Sequence, residues 1–344
     1  MVDGMLQGLV SSGFVLVKSP GVIVGPIAKV LGIIYNIFFN FIYGISEHSS
    51  LAIAIVLFTL FIKVVLSPLT YNQMKSTYKM QKIQPEINKI KAKYEGKKDR
   101  ESQQRMAFEM QEVQKKNGIS MLGGCLPMII QLPILYALFY IFQQAYMYID
   151  VIGANYTSIA DIILTIPVDL RMQVFTPFAE AVAKTTKTAV DLGVQSNVVS
   201  IISQISLSDW SGILASLGDY ASKLSPLLEH KHAIEYIFGI SVITKPGLSF
   251  PGILIPILAA FTTWLSSKSI QPKSADKNDP NYMMTQTMTW MMPAMMGFFS
   301  ITLPSGLGIY WSVSNLFQIA NQKIMEKYFK VKEEKKNEGA GSNG

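Results

Sequence analysis

Charged residues are scarce in this chain. They make up 15% of its 344 residues, against about 25% in an ordinary soluble domain. The scarcity is concentrated in three runs without any charge, at residues 119–149, 247–267 and 280–322. A helix needs about 20 apolar residues to cross a bilayer core, and a backbone in lipid must satisfy its polar groups within the segment. The runs therefore predict membrane-spanning helices, with buried helices of a large soluble core as the alternative.

Other absences narrow the class of protein further. The single cysteine, Cys125, allows no intrachain disulfide and lies too far along the chain to be a lipid-anchored N-terminal cysteine. The three histidines do not have the spacing of a metal site. The chain has no Walker A loop, no H-E-x-x-H and no G-x-S-x-G motif, the usual signs of nucleotide, zinc and serine-nucleophile chemistry. We therefore expect a protein that is not an enzyme and that holds neither a cofactor nor a metal.

Five stretches of the chain are apolar enough to be spans. Pro68 marks the end of the first, and a tight turn at Pro304–Gly306 separates the fourth from the fifth. The expected fold class is an all-α integral membrane protein, built as a five-span helical bundle. The spans are expected at Leu51–Leu69, Cys125–Tyr146, Pro251–Ser267, Tyr282–Leu303 and Leu307–Gln322.

The segment before the first span has two interpretations. Within residues 21–46, Lys29, Asn36 and Asn40 fall on one helical face, and isoleucines and phenylalanines occupy much of the rest. This pattern favours an amphipathic helix that lies in the membrane interface. An additional span is the alternative, which would move the N-terminus across the membrane and leave the remaining topology unchanged.

A strongly charged segment, residues 73–118, follows the first span. It carries twelve basic and six acidic residues. Apolar residues recur in it at steps of three and four, and a turn at Glu95–Lys98 interrupts them. The pattern predicts a helical hairpin with a narrow apolar seam, with a charged, solvated linker as the alternative. The seam residues are Met80, Ile83, Ile87, Ile90 and Tyr94 in the first arm and Met106, Met110 and Val113 in the second.

The distribution of charge predicts an orientation. Lysine and arginine are retained on the cytoplasmic side of a membrane, and the hairpin, the loop 268–281 and the tail are all basic. The loop 150–246, with nine acidic and six basic residues, is then outside, and we expect short amphipathic helices in it. The chain divides into an N-terminal segment 1–46, a first span 47–72, the cytoplasmic hairpin 73–118, a second span 119–149, the extracytoplasmic loop 150–246, spans three to five at 247–322 and a cytoplasmic tail 323–344.

One charge, Lys63, lies inside a predicted span. Thr59 and Ser67 lie four residues before and after it, on the same helical face. An ammonium at the bilayer centre costs roughly 2.5–3.5 kcal/mol or more, so Lys63 either snorkels to the headgroups or faces a wet cavity in the bundle. Polar side chains on other spans favour a shared hydrophilic groove, although such residues also hold helices together. They are Gln131 in the second span and Trp311, Ser314, Asn315, Gln318 and Gln322 in the fifth.

Four segments of the chain resemble the YidC/Oxa/Alb family of membrane protein insertases. They occur in the family's order with the basic hairpin between the first two, and the resemblance covers about residues 45–330. The segments are LFTLFIKVVLSPLT (57–70), GGCLPMIIQLPILYALFY (123–140), PGILIPILAAFTTWLSSK (251–268) and MMPAMMGFFSITLPSGLGIYWSVSNLFQIANQ (291–322).

The resemblance implies a groove that is open to the cytoplasm and to lipid and closed toward the outside. It implies that a positive residue in the first span attracts acidic or polar portions of a substrate, and this position falls on Lys63, where many members have arginine. Lysine keeps the charge but lacks the planar fork of arginine. Substrate-contacting positions carry over to Thr59 and Trp311, and a groove glutamine to Gln131. The loop 150–246 is long for the family, and the lack of a large domain before the first span resembles the Gram-positive members.

The expected function is insertion and folding of nascent membrane proteins, alone or beside the Sec translocon, in the bacterial cytoplasmic membrane. The expected partners are these nascent proteins, the ribosome, the lipid bilayer and, optionally, the Sec translocon, with no small-molecule substrate. An anion channel or transporter and a ribosome-docking membrane scaffold are the alternatives. A transporter would usually carry an internal repeat, which the sequence lacks, and a scaffold would not need polar residues within its spans.

Overall fold

The computed structural model describes residues 21–97, 99–119, 126–186, 188–270 and 280–341. Within these ranges the protein is α-helical apart from one hairpin of two-residue strands. The chain divides into two compact units. Unit 1 comprises Met1–Phe58, Pro133–Ile255 and Ser300–Ile309, and unit 2 comprises Thr59–Leu132, Pro256–Phe299 and Tyr310–Gly344.

The described elements follow the chain in a simple order. They are α1 (Gly21–Tyr43), α2 (Ser50–Lys93), α3 (Arg100–Lys116), α4 (Leu126–Gln143), α5 (Ala145–Tyr148), α6 (Asp150–Thr165), α7 (Val168–Thr186), α8 (Gln195–Ile202), α9 (Leu207–Ser216), α10 (Asp219–Glu235), β1 (Tyr236–Ile237), β2 (Ile240–Ser241), α11 (Leu254–Ile270), α12 (Pro280–Thr302) and α13 (Ser305–Gly341).

Two of the described helices are long and apolar enough to cross a membrane by length and composition, the stretch Val24–Tyr43 of α1 and the helix α2. A shorter apolar stretch, Gln131–Gln143, lies in α4. The five-span count therefore stays a prediction. Cys125, the expected start of the second span, and most of the lysine-bearing loop, with Lys273 and Lys277, lie outside the described residues.

Helix α1 is apolar on two opposite faces. One face packs into unit 1, whereas the other is exposed. An apolar exposed face suits contact with lipid tails, and 23 residues reach about 34 Å at 1.5 Å per residue, so the helix also fits the alternative of an additional span. The buried residues are Ala28, Leu31, Tyr35, Phe39 and Ile42, and the exposed ones include Val30, Ile33, Ile37 and Phe41.

The first predicted span and the first arm of the hairpin form a single helix. Helix α2 continues through Pro68 and Pro85 and ends at Lys93, whereas the sequence predicts an end at Pro68. A proline removes one helical hydrogen bond and usually kinks or ends a helix. Both prolines lie on the exposed side of α2.

The helical hairpin joins the second half of α2 to α3. Ile83 and Ile87 form a small buried core with Ile119, and Met80, Met110 and Val113 pack against it. Near the turn, Glu109 accepts hydrogen bonds from the Lys93 Nζ at 2.6 Å and the Tyr94 hydroxyl at 2.7 Å. The predicted apolar seam therefore holds the two arms together, and charged groups fasten the end beside the turn.

The segment 150–246, in which the sequence predicts short amphipathic helices, belongs to unit 1, and its described residues form helices followed by the strands β1 and β2. Helix α6 buries Ile152, Tyr156, Ile159 and Ile163, a stripe at steps of three and four. It packs against α8 and α10. Helix α9 begins with a capping box between Ser206 and Asp209, which satisfies backbone donors in its first turn. The short helices of this segment thus pack their apolar stripes together and form a core within unit 1.

Candidate functional site

The polar face of α2 lies in unit 2 and carries Lys63. Thr59 is fully buried, whereas Lys63 and Ser67 are half-buried. The Ser67 hydroxyl donates to the carbonyl oxygen of Lys63 at 3.0 Å, so its hydrogen bond returns to its own helix. The stripe predicted from the sequence thus contains one ammonium group and hydroxyl groups beside it.

The Lys63 ammonium contacts the side chain of Gln131 on α4. Its Nζ donates to the Gln131 Oε1 at 3.4 Å, a long hydrogen bond. The Gln131 Nε2 in turn donates to the hydroxyl of Tyr310, a buried residue of α13. The glutamine amide therefore has fixed roles, since its oxygen faces the ammonium and its nitrogen faces the tyrosine.

The sequence reasoning did not identify Tyr310. It stands directly before Trp311, which the polar register of the fifth predicted span and the family resemblance both indicate. A buried tyrosine usually finds a hydrogen-bond partner for its hydroxyl, but this tendency does not say which residue is the partner, so the sequence carries no signal that links Tyr310 to Gln131.

Lys63 has no acidic partner among the described residues. No carboxylate in that part of the chain lies within salt-bridge distance of its Nζ. An ammonium has three donors, and its only described side-chain partner is the neutral amide of Gln131. The described residues also contain no group of three potential metal ligands. The site therefore presents a positive charge and has no described anion to neutralise it.

The other polar residues of α13 have different positions. The Asn315 Nδ2 donates to the Thr263 hydroxyl at 2.9 Å and lies 3.3 Å from that of Thr262, both on α11. Further along, the Gln322 Nε2 donates to the carbonyl oxygen of Ser269 at 2.9 Å. These contacts join two helices, as polar residues in membrane proteins commonly do. Ser314 is buried and Trp311 and Gln318 are half-buried, and none of them hydrogen-bonds the Lys63 ammonium.

Large apolar side chains are exposed along the helices of unit 2. Monomeric soluble proteins rarely expose contiguous apolar patches of more than a few hundred Å², whereas lipid tails are a suitable environment for such faces. They include Phe61, Val64, Val65 and Leu69 on α2, Ile257 and Phe261 on α11, and Trp290, Met291 and Phe298 on α12.

These helices have exposed apolar faces and carry a half-buried lysine, Lys63. Together these features define a helical membrane protein. The chain belongs to the 60Kd inner membrane protein family, whose profile matches residues 41–334. This match confirms the resemblance that the four sequence segments indicated.

Relatives of known name cover most of the chain. Membrane protein insertase YidC 2 of Bacillus anthracis is 27% identical over 295 residues, 83% of this chain and 79% of the relative. Membrane protein insertase YidC 1 of Lactococcus lactis is 25% identical over 303 residues, 86% of this chain and 78% of the relative. Membrane protein insertase YidC of Clostridium perfringens is 26% identical over 304 residues, 86% of this chain and 88% of the relative.

Proposed function

We propose that this chain is a membrane protein insertase of the bacterial cytoplasmic membrane, which inserts and folds nascent membrane proteins. The names of the relatives support this class. The observation that carries the mechanism is the half-buried Lys63 ammonium, whose only side-chain partner among the described residues is the neutral amide of Gln131.

In this mechanism, Lys63 attracts the acidic or polar flank of a nascent segment. An ammonium withdrawn from water and without a counter-ion is unfavourable, and pairing with a substrate carboxylate relieves part of this penalty. Gln131 and Tyr310 position the ammonium, because the tyrosine holds the amide with its oxygen toward Lys63. Thr59, Ser67, Trp311, Ser314 and Gln318 remain proposed groove residues, whereas the contacts of Asn315 support a role in holding α13 to α11.

The free energy for insertion comes from the substrate itself. As its polar flank is shielded near Lys63, its apolar segment enters the lipid, and burial of apolar surface is the main favourable contribution. About 20 apolar residues are enough to form a span. No nucleotide is needed for such a step, in line with the absence of a phosphate-binding motif from the sequence.

The charged parts of the chain supply further proposed contacts. We infer that the hairpin 73–118 and the tail 323–344 face the cytoplasm, because both are basic. Basic segments attract ribosomal RNA and anionic lipid headgroups. The ribosome is therefore a proposed partner, and the Sec translocon an optional one.

Reconstitution of the purified chain into liposomes tests this proposal. A short substrate with an acidic flank is added during its synthesis, and insertion is measured as protection of the flank from external protease. We expect insertion with the native chain, little with Lys63→Met and nearly native insertion with Lys63→Arg, since only the methionine removes the charge. A substrate with a neutral flank should depend much less on Lys63.

Val65→Ala is the matched control, because Val65 lies two residues away on the exposed apolar side of α2. Equal insertion by liposomes with and without the native chain would contradict the insertase. Insertion by Lys63→Met at the native level for the acidic substrate would instead contradict the role of the charge. A chloride leak without insertion would support the channel alternative.

A further inference from the structure

The turn between β1 and β2 exposes a large apolar side chain in a strained conformation. Phe238 is 88% exposed. Its φ is 48° and that of Gly239 is 78°, so both central residues of the turn have positive φ, a conformation that glycine and asparagine adopt readily. For another residue this region costs roughly 1–2 kcal/mol. Phe238 carries this strain with almost no packing inside the protein, which suggests that its ring contacts something else.

Two more apolar side chains are exposed in the segment that leads to α11. Leu248 is 69% exposed and Phe250 is 80% exposed. The hairpin and this segment are close, because a Cβ added to Gly239 would lie 3.6 Å from the Pro251 side chain. We call Phe238, Leu248 and Phe250 the apolar lip.

The base of the β-hairpin formed by β1 and β2 is fixed beside the first predicted span. The Ser49 hydroxyl donates to the carbonyl oxygen of Tyr236 at 2.9 Å, and the Ser49 N–H donates to that of Ala233 at 2.7 Å. Ser49 directly precedes α2. The β-hairpin therefore starts beside the beginning of the first predicted span.

The chain after β2 is fixed beside the turn between the fourth and fifth predicted spans. The Gly306 N–H donates to the carbonyl oxygen of Val242 at 2.8 Å, and the Ser305 N–H donates to that of Thr244 at 2.9 Å. A Cβ on Gly306 would meet Ile55 and Val242 at 3.0–3.2 Å, so this approach is close. The start of the first predicted span, the start of the third at Pro251 and the turn that joins the fourth to the fifth therefore all lie near the β-hairpin, within unit 1.

We propose that the apolar lip inserts into the outer leaflet of the bilayer. The inference rests on the membrane placement stated in the proposed function, in which these span ends face outward. Phospholipid is the occupant because Phe250 lies four residues before α11, so the lip is continuous with a segment that enters the lipid. Phenylalanine and leucine are side chains that interfacial segments bury at the boundary between headgroups and acyl chains, and exposed Lys245 in the same segment can reach a headgroup phosphate.

Fluorescent labels in proteoliposomes test this placement without any insertion assay. In a Cys125→Ser background, single cysteines replace Phe238, Leu248 or Phe250 and carry the environment-sensitive dye NBD. Phosphatidylcholine with a nitroxide on its acyl chain serves as quencher. We expect blue-shifted emission and quenching several times stronger than for a label at Val168, an exposed apolar residue of unit 1 that is 61% exposed.

Three lip positions keep the result independent of one variant's folding, and protease resistance of each labelled protein checks that it is intact. Water-like emission and weak quenching at all intact lip positions would overturn the proposal and leave a protein partner as the occupant. Equal quenching at Val168 and the lip would overturn it too. Loss of insertion in the earlier assay, with lip quenching retained, would contradict the insertase and leave the lip in place.

Discussion

Lys231 in unit 1 and Lys63 in unit 2 are both withdrawn from water, but their surroundings are opposite. The side chains of Lys231 and Glu235 are 5% and 1% exposed and form an ion pair one helical turn apart. The Tyr156 hydroxyl donates to Glu235 at 2.7 Å, and the Lys231 Nζ lies 5.3 Å from the centre of the Tyr156 ring. Lys63 has only a long contact with a neutral amide.

The difference separates a structural lysine from a candidate binding lysine. Around Lys231 every charge has a partner, so no ligand is needed. Burial, and then the Glu235 carboxylate, raise the pKa of Tyr156 well above its usual value, which keeps the hydroxyl a donor. The Lys63 ammonium has donors to spare. We therefore expect changes at Lys231 to affect stability and changes around Lys63 to affect insertion.

Glu235→Gln should have the largest effect, because it leaves Lys231 buried and unpaired. Removal of one partner of a buried ion pair usually costs about 3–5 kcal/mol. Thermal unfolding in detergent, followed by the tryptophan fluorescence to which buried Trp210 of the same unit contributes, should show a large loss of stability.

The control removes the whole network at once. The triple variant Lys231→Met, Glu235→Leu and Tyr156→Phe leaves no polar group without its partner, and such replacements are often neutral or stabilising. It should recover most of the loss. A Glu235→Gln protein that unfolds like the native one would show that the pair is not structural.

Gln131→Glu should turn Lys63 into a paired lysine of the Lys231 kind. A carboxylate in place of the amide lies close enough to bind the ammonium, given the present 3.4 Å contact. A charge-assisted hydrogen bond is worth about 1.5–3 kcal/mol, so an acidic substrate should lose roughly tenfold or more in insertion rate while the protein stays folded. Gln131→Met, similar in size and neutral, is the control, and an equal loss there would assign the effect to shape and not to charge.

Tyr310→Phe should have a smaller effect, because it changes only the orientation of the Gln131 amide. Without the tyrosine oxygen, the Gln131 Nε2 loses its described acceptor, at a cost of about 1 kcal/mol. Insertion should fall severalfold. In a double-mutant cycle with Gln131→Leu, the two changes should not add. Additive losses would mean that Tyr310 acts independently of Gln131.

The sequence predicted the features that depend on neighbours one helical turn apart. The seam of Ile83, Ile87 and Val113 follows from the helical repeat. The sequence also marks Lys63 and Gln131 individually, because each is polar in an apolar segment, but their contact at 3.4 Å across 68 positions is visible only in the structure. These patterns need no knowledge of tertiary contacts.

Other features depend on partners far along the chain. Tyr310 meets Gln131 across 179 positions, and Tyr156 meets Glu235 across 79. No local pattern in the sequence encodes such distant pairs. Pro68 predicts a helix end because proline lacks a backbone donor, but α2 tolerates it on an exposed side. The strain at Phe238 likewise becomes visible only with the backbone φ.

The ion pair at the hairpin turn should show the smallest effect, because its groups are exposed and screened by water. Hydrogen bonds from Lys93 and Tyr94 lower the pKa of Glu109 below its usual value, and the hydrogen bond to Glu109 raises the pKa of Lys93. The contribution of Glu109 to the stability of the helical hairpin is therefore present above the usual glutamate pKa of about 4.3, and it is lost as the pH falls through the lowered pKa. The Lys93 contribution is present below the usual lysine pKa of about 10.4 and is lost as the pH rises through the raised value.

The distance between spin labels at Lys89 and Gln104, on exposed faces of the two arms, reports how far the arms of the helical hairpin separate when this ion pair is lost. We expect its distribution to broaden slightly in acid and in strong base, and Glu109→Gln should show the broadening already at neutral pH. Glu112→Gln, an exposed carboxylate on the same helix, is the matched control. Because the seam of Ile83 and Ile87 remains in every case, the arms should stay associated, and complete separation in Glu109→Gln would mean that the charged contacts, not the apolar seam, hold the hairpin together.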